Sequence, residues 1–89
     1  MVAGNETTRF LLAGGLEQLL LEPELLAALW AEPALIPAAV EEMVRWVTPV
    51  MHMRRTLAED GEVFGVEAPA GTKFVLYFAS ANRDEEAFD

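Results

Sequence analysis

The segment Ala3-Gly4-Asn5-Glu6-Thr7-Thr8 sets a carboxylic acid beside two hydroxyls at the start of an apolar run. A carboxyl next to a Thr hydroxyl can pass a proton along a short hydrogen-bonded relay. Gly4 has no Cβ and lets a second backbone or a flat ligand come close. The same residues would equally suit a helix start, with Glu6 opposing the helix dipole and the threonines capping the first turn. A second constellation is cationic. Arg45, Arg54 and Arg55 are half of the six basic side chains and fall within eleven residues, with His52 among them. A guanidinium offers a planar fork to a carboxylate or phosphate, so one reading is a local anion site. The other is neutralisation of the nearby Glu59, Asp60 and Glu62 on a strand surface. Glu42 and Arg45 stand three apart, which on a helix places them on one face and allows a charge-assisted pair. Glu6 and Arg9 share that spacing, so spacing alone does not separate a structural pair from an exposed one. His52 is the one histidine and there is no cysteine, which leaves His52 without the companions a metal site needs.

These side chains need elements to hold them. From Glu6 to about Leu21, the residues Phe10, Leu11, Leu12, Leu16, Leu19 and Leu20 recur at helical spacings and predict a helix that Gly14 and Gly15 weaken locally. Pro23 and Glu24 open a second helix carrying Leu25, Leu26, Leu29 and Trp30, because proline fits the first helical position. After Pro33 and Pro37, a third helix spans about Pro37 to Val47, with Val40, Met43, Val44 and Val47 as its apolar stripe and Pro49 ending it. Trp30 and Trp46 read as packing residues of these helices.

Beyond Pro49 the pattern becomes extended. His52 to Leu57 alternates in part, Asp60-Gly61 and Pro69-Ala70-Gly71-Thr72 mark turns, and Lys73 to Ala79 reads as a strand. The run Phe74 to Phe78 is apolar on both faces, which predicts cover on both sides. Asn82, Arg83 and Asp84 read as a polar cap before a short acidic turn. The expected fold class is mainly α with a small β-sheet, an α+β arrangement in which 1–48 form the helical part and 49–89 the sheet part.

Composition narrows the function. Fifteen acidic against six basic side chains give a net charge of -9 over 89 residues, which argues against nucleic acid and anionic membrane as partners. The lack of cysteine removes disulfides, thiolate metal sites and a thiol nucleophile. No run approaches the roughly 18 apolar residues of a membrane span. Asn5 and Glu6 stand where a signal peptide would carry basic residues and an apolar run, so a cytoplasmic chain is expected. The hydrophobic share of 53% is high for this length. A domain of this size buries only about 60% of the surface of its unfolded chain, so many apolar groups would stay wet, and the expectation is a fragment of a larger domain.

The order and spacing of several short motifs are more specific than any one of them. Ala3-Gly4-Asn5-Glu6-Thr7-Thr8, then Ala39-Val40-Glu41-Glu42-Met43-Val44-Arg45-Trp46, then Thr48-Pro49-Val50 with His52 and Arg54, then Pro69-Ala70-Gly71-Thr72 and Ala81-Asn82-Arg83-Asp84, together resemble the central part of a soluble bacterial cytochrome P450. The resemblance runs over essentially the whole chain.

It implies that the first helix is the C-terminal half of the long helix over the distal haem face. Ala3 and Gly4 would lie over the porphyrin in a locally widened turn, with Glu6 and Thr7 as the acid-alcohol pair that delivers protons for O–O cleavage. Thr8 would be an ordinary helix residue. Glu42 and Arg45 would form the family's Glu-x-x-Arg pair, buried on the proximal side. Arg54 would pair with a haem propionate, His52 would be a second polar propionate contact, and Pro49 and Val50 would border the haem and the substrate cavity. The Cys ligand of the haem iron would lie outside these residues, so the piece by itself would be inactive. The parent would insert one oxygen atom from O2 into a lipophilic organic substrate, with electrons from NAD(P)H through a ferredoxin or flavoprotein reductase. The wording of the motifs is similar to bacterial members acting on steroids, terpenes and other lipophiles. Set apart from the resemblance, the chain reads as an acidic interaction module without catalysis or as a truncated reading frame.

Overall fold

The computed structural model describes residues 3–88. Four α-helices and four strands follow in the order α1 (Glu6–Leu21), α2 (Pro23–Ala31), α3 (Ile36–Val47), β1 (His52–Thr56), β2 (Gly61–Val63), β3 (Val66–Ala68), β4 (Lys73–Tyr77) and α4 (Phe78–Ala81), with a single 3-10 turn at Pro33–Leu35. Each proline of the helical half stands at a helix start, where its missing N–H is no loss. The axis of α2 turns by 110° into the segment Pro33–Val47. Among the described residues, no single helix is long and apolar enough to cross a membrane.

Helix α1 packs on α3. Its covered residues are Thr7, Leu11, Gly14, Gly15, Gln18 and Leu19, spaced as one helical face. Gly14 rests on Val47 and Gly15 on Met43. Phe10, Leu12, Leu16 and Leu20 lie on other faces and are exposed. The apolar residues of α1 therefore serve two directions, which explains why the sequence pattern is dense without being one-sided. On α3 the expected stripe also splits: Met43 and Val47 turn to α1, while Val40 and Val44 are exposed. Trp30, expected to pack, is 80% exposed. It stands on the outer side of the short helix α2, which has no buried residue.

Helix α3 ends at Val47, as expected, because Pro49 keeps the residue before it out of the right-handed helical region. Thr48 takes the left-handed conformation, φ 45° and ψ 65°, while its N–H still donates to the Val44 carbonyl at 2.9 Å. A β-branched residue there is strained, and the surroundings hold it. The Thr48 hydroxyl donates to the Arg45 carbonyl at 2.7 Å and accepts from the Asn82 side-chain amide at 3.1 Å. Arg83 donates to the Trp46 carbonyl at 2.8 Å and lies over the Trp46 ring, its guanidinium carbon 4.1 Å from the centroid. Arg45 returns a bond to the Asn82 carbonyl at 2.7 Å. Of the carbonyls that end the helix, that of Val44 is met by the Thr48 N–H, that of Arg45 by the Thr48 hydroxyl and that of Trp46 by Arg83 from the far end of the chain, and Thr48 is buried at 7% exposure.

Strands β1 and β4 pair antiparallel with His52 opposite Tyr77 and Arg54 opposite Val75. The ladder extends through Leu57 to Thr72 and through Ala79 to Met51. On β4, Phe74 and Leu76 are half-buried while Val75 and Tyr77 are exposed. This corrects the expectation of cover on both faces: the covered side is the one shared with Met53 and Arg55, and the open side is shared with His52 and Arg54. The hairpin of β2 and β3 was not expected, because its two-residue turn is Phe64-Gly65. Both turn residues have positive φ, 51° and 78°, as a type I′ turn requires, and Phe is a poor residue for it. Asp60 closes the base by accepting the Ala70 N–H at 2.7 Å. Asp84 closes the final turn, its carboxylate accepting the Glu86 N–H at 3.0 Å.

No apolar side chain among the described residues is fully buried. The radius of gyration is 17.5 Å, against about 12 Å for a compact domain of this length. The accessible surface is 7353 Å², against about 5,200 Å² for a compact monomer of this mass. The difference, about 2,200 Å², exceeds the roughly 800 Å² that one partner gives to a standard interface.

Two outcomes follow. The isolated 89-residue polypeptide should self-associate or unfold without a cooperative transition; a sharp calorimetric melt of a species that runs as a monomer on gel filtration would contradict this. In a peptide spanning 58–70, Phe64→Asn should raise the hairpin population several-fold, because relieving a left-handed L-residue is worth about 1 kcal/mol. Unchanged cross-strand nuclear Overhauser effects would show that the turn carries no such strain.

Candidate functional site

Gly4 has φ 82° and nothing within 4 Å of where a Cβ would stand among the described residues. Ala3, Gly4 and Asn5 form a turn, and α1 begins at Glu6. Gly4 is left-handed, outside the backbone region through which an α-ladder can run, so α1 as described starts after the residues over which a widened turn was expected. No side-chain bond from the N-cap residue Asn5 closes the first turn. Glu6 receives both of its bonds from Arg9, at 2.8 Å each. Thr7 lies beside it, half-covered, on the same face of α1 as Gly14, while Thr8 is exposed.

Both Glu-x-x-Arg spacings in the sequence are realised as ion pairs. That of Glu42 and Arg45 is bidentate: Nε donates to Oε2 at 2.8 Å and Nη2 donates to Oε1. The bond from Arg45 holds the Glu42 carboxyl below its ordinary range, and Glu42 raises the guanidinium in turn. The expected burial of the pair is corrected in half. Arg45 is 16% exposed, wedged between Asn82 and the Phe88 ring, but Glu42 is 60% exposed. Within these residues it sits on the outward side of α3.

His52 and Arg54 are alternate residues of β1 and so share one face, opposite Tyr77 and Val75. The His52 ring meets Tyr77 edge-on at 5.9 Å. Arg54 and Arg55 make no ion pair with Glu59, Asp60 or Glu62 among the described residues, and Asp60 is committed to the Ala70 N–H. Arg55, on the other face, donates to the Arg54 carbonyl at 3.0 Å. Arg9, Arg45 and Arg83 also have acceptors. The Arg54 guanidinium has none among the described residues. Direct pairing with Glu59, Asp60 or Glu62, one form of the surface-neutralisation reading, is thus not seen among the described residues.

Val50 is half-buried between Pro49 and Met51. An open apolar groove runs beside it, between α1 and the segment Trp46–Met51, with Phe10, Gly14, Leu20, Trp46, Pro49 and Met51 on its walls. Sequence reasoning did not give Thr48 or Arg83 a role in holding the site, although both now tie α3 to the chain that follows β4. The available signal was the Thr-Pro step and the Asn-Arg pair, both polar in apolar surroundings. Among the described residues, no group of three or more His, Cys, Asp or Glu side chains is gathered for a metal ion.

No protein-family model matches the chain. Individual proteins do. The chain is 49% identical over 88 residues to a steroid C26-monooxygenase of Mycolicibacterium smegmatis, covering 99% of this chain and 22% of that protein. It is 48% identical over 89 residues to a methyl-branched lipid omega-hydroxylase of Mycobacterium bovis, covering 99% of this chain and 21% of that protein. Among solved structures, the Mycobacterium marinum cytochrome P450 CYP268A2 in complex with pseudoionone superposes with a TM-score of 0.90 at 49% identity, over 99% of this chain and 22% of that one. The chain spans about a fifth of the length of the curated relatives it matches. By sequence and by its α+β fold, it belongs to the cytochrome P450 family, as one segment of that fold.

Proposed function

We propose that these residues are the distal-helix and haem-edge segment of a haem-thiolate monooxygenase acting on a lipophilic substrate. The observation that carries this reading is Arg54: a guanidinium without an acceptor, on an open strand face beside His52, in a chain rich in carboxylates that leave it alone. A propionate is a carboxylate, and Arg presents two parallel N–H donors to it. His52, two residues away on the same face, can add a second polar contact. The open space at Gly4 suits the close approach of a flat macrocycle. The residues present thus fit haem on two sides.

Haem with a thiolate ligand supplies the redox chemistry that activates dioxygen; the chain contains no cysteine, so the thiolate comes from other residues. What this segment does is hold, shape and protonate. Arg54 and His52 anchor the propionate edge. Ala3 and Gly4 keep the distal side free of bulk. Thr7 offers a hydroxyl at the ligand side, and Glu6 passes it protons from solvent, with Arg9 orienting the carboxylate between transfers. Val50 and Pro49 close the apolar wall against water. Glu42 and Arg45 act at a distance, by fixing the end of α3 from which β1 departs. The names of the relatives favour a lipid or steroid as substrate, and electrons would come from NAD(P)H through a ferredoxin or flavoprotein in the cytoplasm.

The test is a segment exchange. Residues 3–88 replace the matching segment of the Mycolicibacterium smegmatis relative, and the chimaera is purified with haem. Its reduced carbonyl complex should show the strongly red-shifted Soret band of thiolate ligation; a haem-loaded chimaera without that band would sink the proposal. In the same chimaera, Arg54→Leu should speed haem loss to an apomyoglobin acceptor by about tenfold, the effect of one charge-assisted hydrogen bond. Arg55→Leu, on the other face of β1, should change it less than about twofold. Equal effects from the two would remove Arg54 from the propionate.

A further inference from the structure

Two adjacent glycines on α1 meet two neighbours of unlike stiffness. A Cβ added to Gly14 would stand 2.9 Å from Val47 Cγ2 and 3.0 Å from Cγ1. Ordinary van der Waals contact begins near 3.4 Å, so about 0.5 Å must be found. Val47 cannot supply it by rotation, because a β-branched side chain in a helix has one strongly preferred rotamer. A Cβ on Gly15 would stand 2.9 Å from Met43 Sδ. That atom is near the end of an unbranched thioether with several rotatable bonds, which moves aside readily.

The Gly14–Val47 contact joins two parts of the site. Gly14 lies seven residues beyond Thr7 on the covered face of α1, two turns and about 10 Å along the axis. Val47 is the last residue of α3. From it the chain passes through the left-handed Thr48, then Pro49 and Val50, directly into β1 with His52 and Arg54. Any change in the depth at which α1 sits on Val47 moves the acid-alcohol pair relative to the strand that would hold the haem edge.

We propose that Gly14 is a positioning residue: its missing side chain lets α1 seat on Val47 at the depth that sets Glu6 and Thr7 against His52 and Arg54. This rests on the monooxygenase reading above, and it adds to that reading a determinant that touches neither haem nor substrate. Helix propensity argues in the opposite direction, since Ala is the better helix former. At a glycine with free space around it, substitution by Ala would do no harm.

The experiment uses the haem-loaded chimaera with four changes: Gly14→Ala, Gly15→Ala, Val47→Ala, and Gly14→Ala combined with Val47→Ala. The substrate is the steroid that the unmodified relative oxidises. Gly14→Ala should keep the thiolate carbonyl band, lower kcat about tenfold with KM within about twofold, and raise the share of consumed dioxygen released as hydrogen peroxide, as misplacement of a proton donor would. Adding Val47→Ala should bring kcat and the peroxide share back to within about twofold of the parent. Gly15→Ala and Val47→Ala alone should each stay within about twofold. Should Gly14→Ala fail to take up haem, the double variant decides: haem loading and turnover restored by Val47→Ala support the contact, and their absence overturns it. The inference also falls if Gly14→Ala behaves as the parent, or if Gly15→Ala is as damaging. Failure of the monooxygenase reading shows separately, as a missing thiolate band in the unmodified chimaera.

Discussion

Everything beyond α3 hangs from the way that helix ends. A helix C-terminus leaves carbonyls without partners, and here a single left-handed threonine turns the chain and caps the Arg45 carbonyl, while Arg83 from a distant turn meets that of Trp46. The strain of a left-handed L-residue, about 1–2 kcal/mol, is comparable to what the two hydrogen bonds of the Thr48 hydroxyl return at about 1 kcal/mol each. Arg45 to Asn82 and Arg83 to Trp46 then bind residues separated by 37 positions. The direction in which β1 leaves α3, and with it the placement of Val50, His52 and Arg54, follows from that joint.

The same joint explains how few cations serve so acidic a chain. Arg45 and Arg83 are consumed in closing α3, each also lying on an aromatic ring, and Arg9 is consumed by Glu6. Arg55 turns back on its own strand. The excess of carboxylates stays on the surface, where water solvates it, and the one guanidinium left without an acceptor among the described residues stands on an open face with His52, Tyr77 and Lys73, which likewise makes no ion pair among those residues. Charge in this segment is therefore read by placement: the net value argues against polyanionic partners, while on the proposed reading Arg54 marks the haem edge.

The elements and their limits were largely legible in the sequence. The first three helices begin at Glu6, Pro23 and near Pro37 because dipole and proline rules act locally, and β1 and β4 are bounded by turns that Gly and Pro announce. What stayed hidden depended on contacts across the chain. The Phe64-Gly65 turn violates local preference, so no local rule finds it. The left-handed state of Thr48 is stabilised by Asn82, thirty-four positions away. The exposure of Glu42 follows from which side of α3 meets α1, and periodicity alone could not say that Met43 and Val47, rather than Val40 and Val44, take that side. The motifs at Glu6, Glu42, Arg54 and Asn82 were legible as a set because their order is constrained by a common fold, although each by itself is ordinary.

The two-sided distribution of apolar residues is the physical reason that this ordering matters. Helix α1 turns glycines and Leu11 to α3 and presents Phe10, Leu12, Leu16 and Leu20 elsewhere, and β4 likewise covers one face while Val75 and Tyr77 stay open. A helix that is apolar around its whole circumference is stable only between two layers, and these residues supply one of them. The small side, made of glycines, therefore carries the geometric information, because close backbone approach tolerates no change in depth. The large side carries the hydrophobic area and can repack with less loss. On the proposed reading, function in this segment would depend on the side with the least side-chain volume: the turn at Gly4, the seat at Gly14, and the short path from Val47 to Arg54.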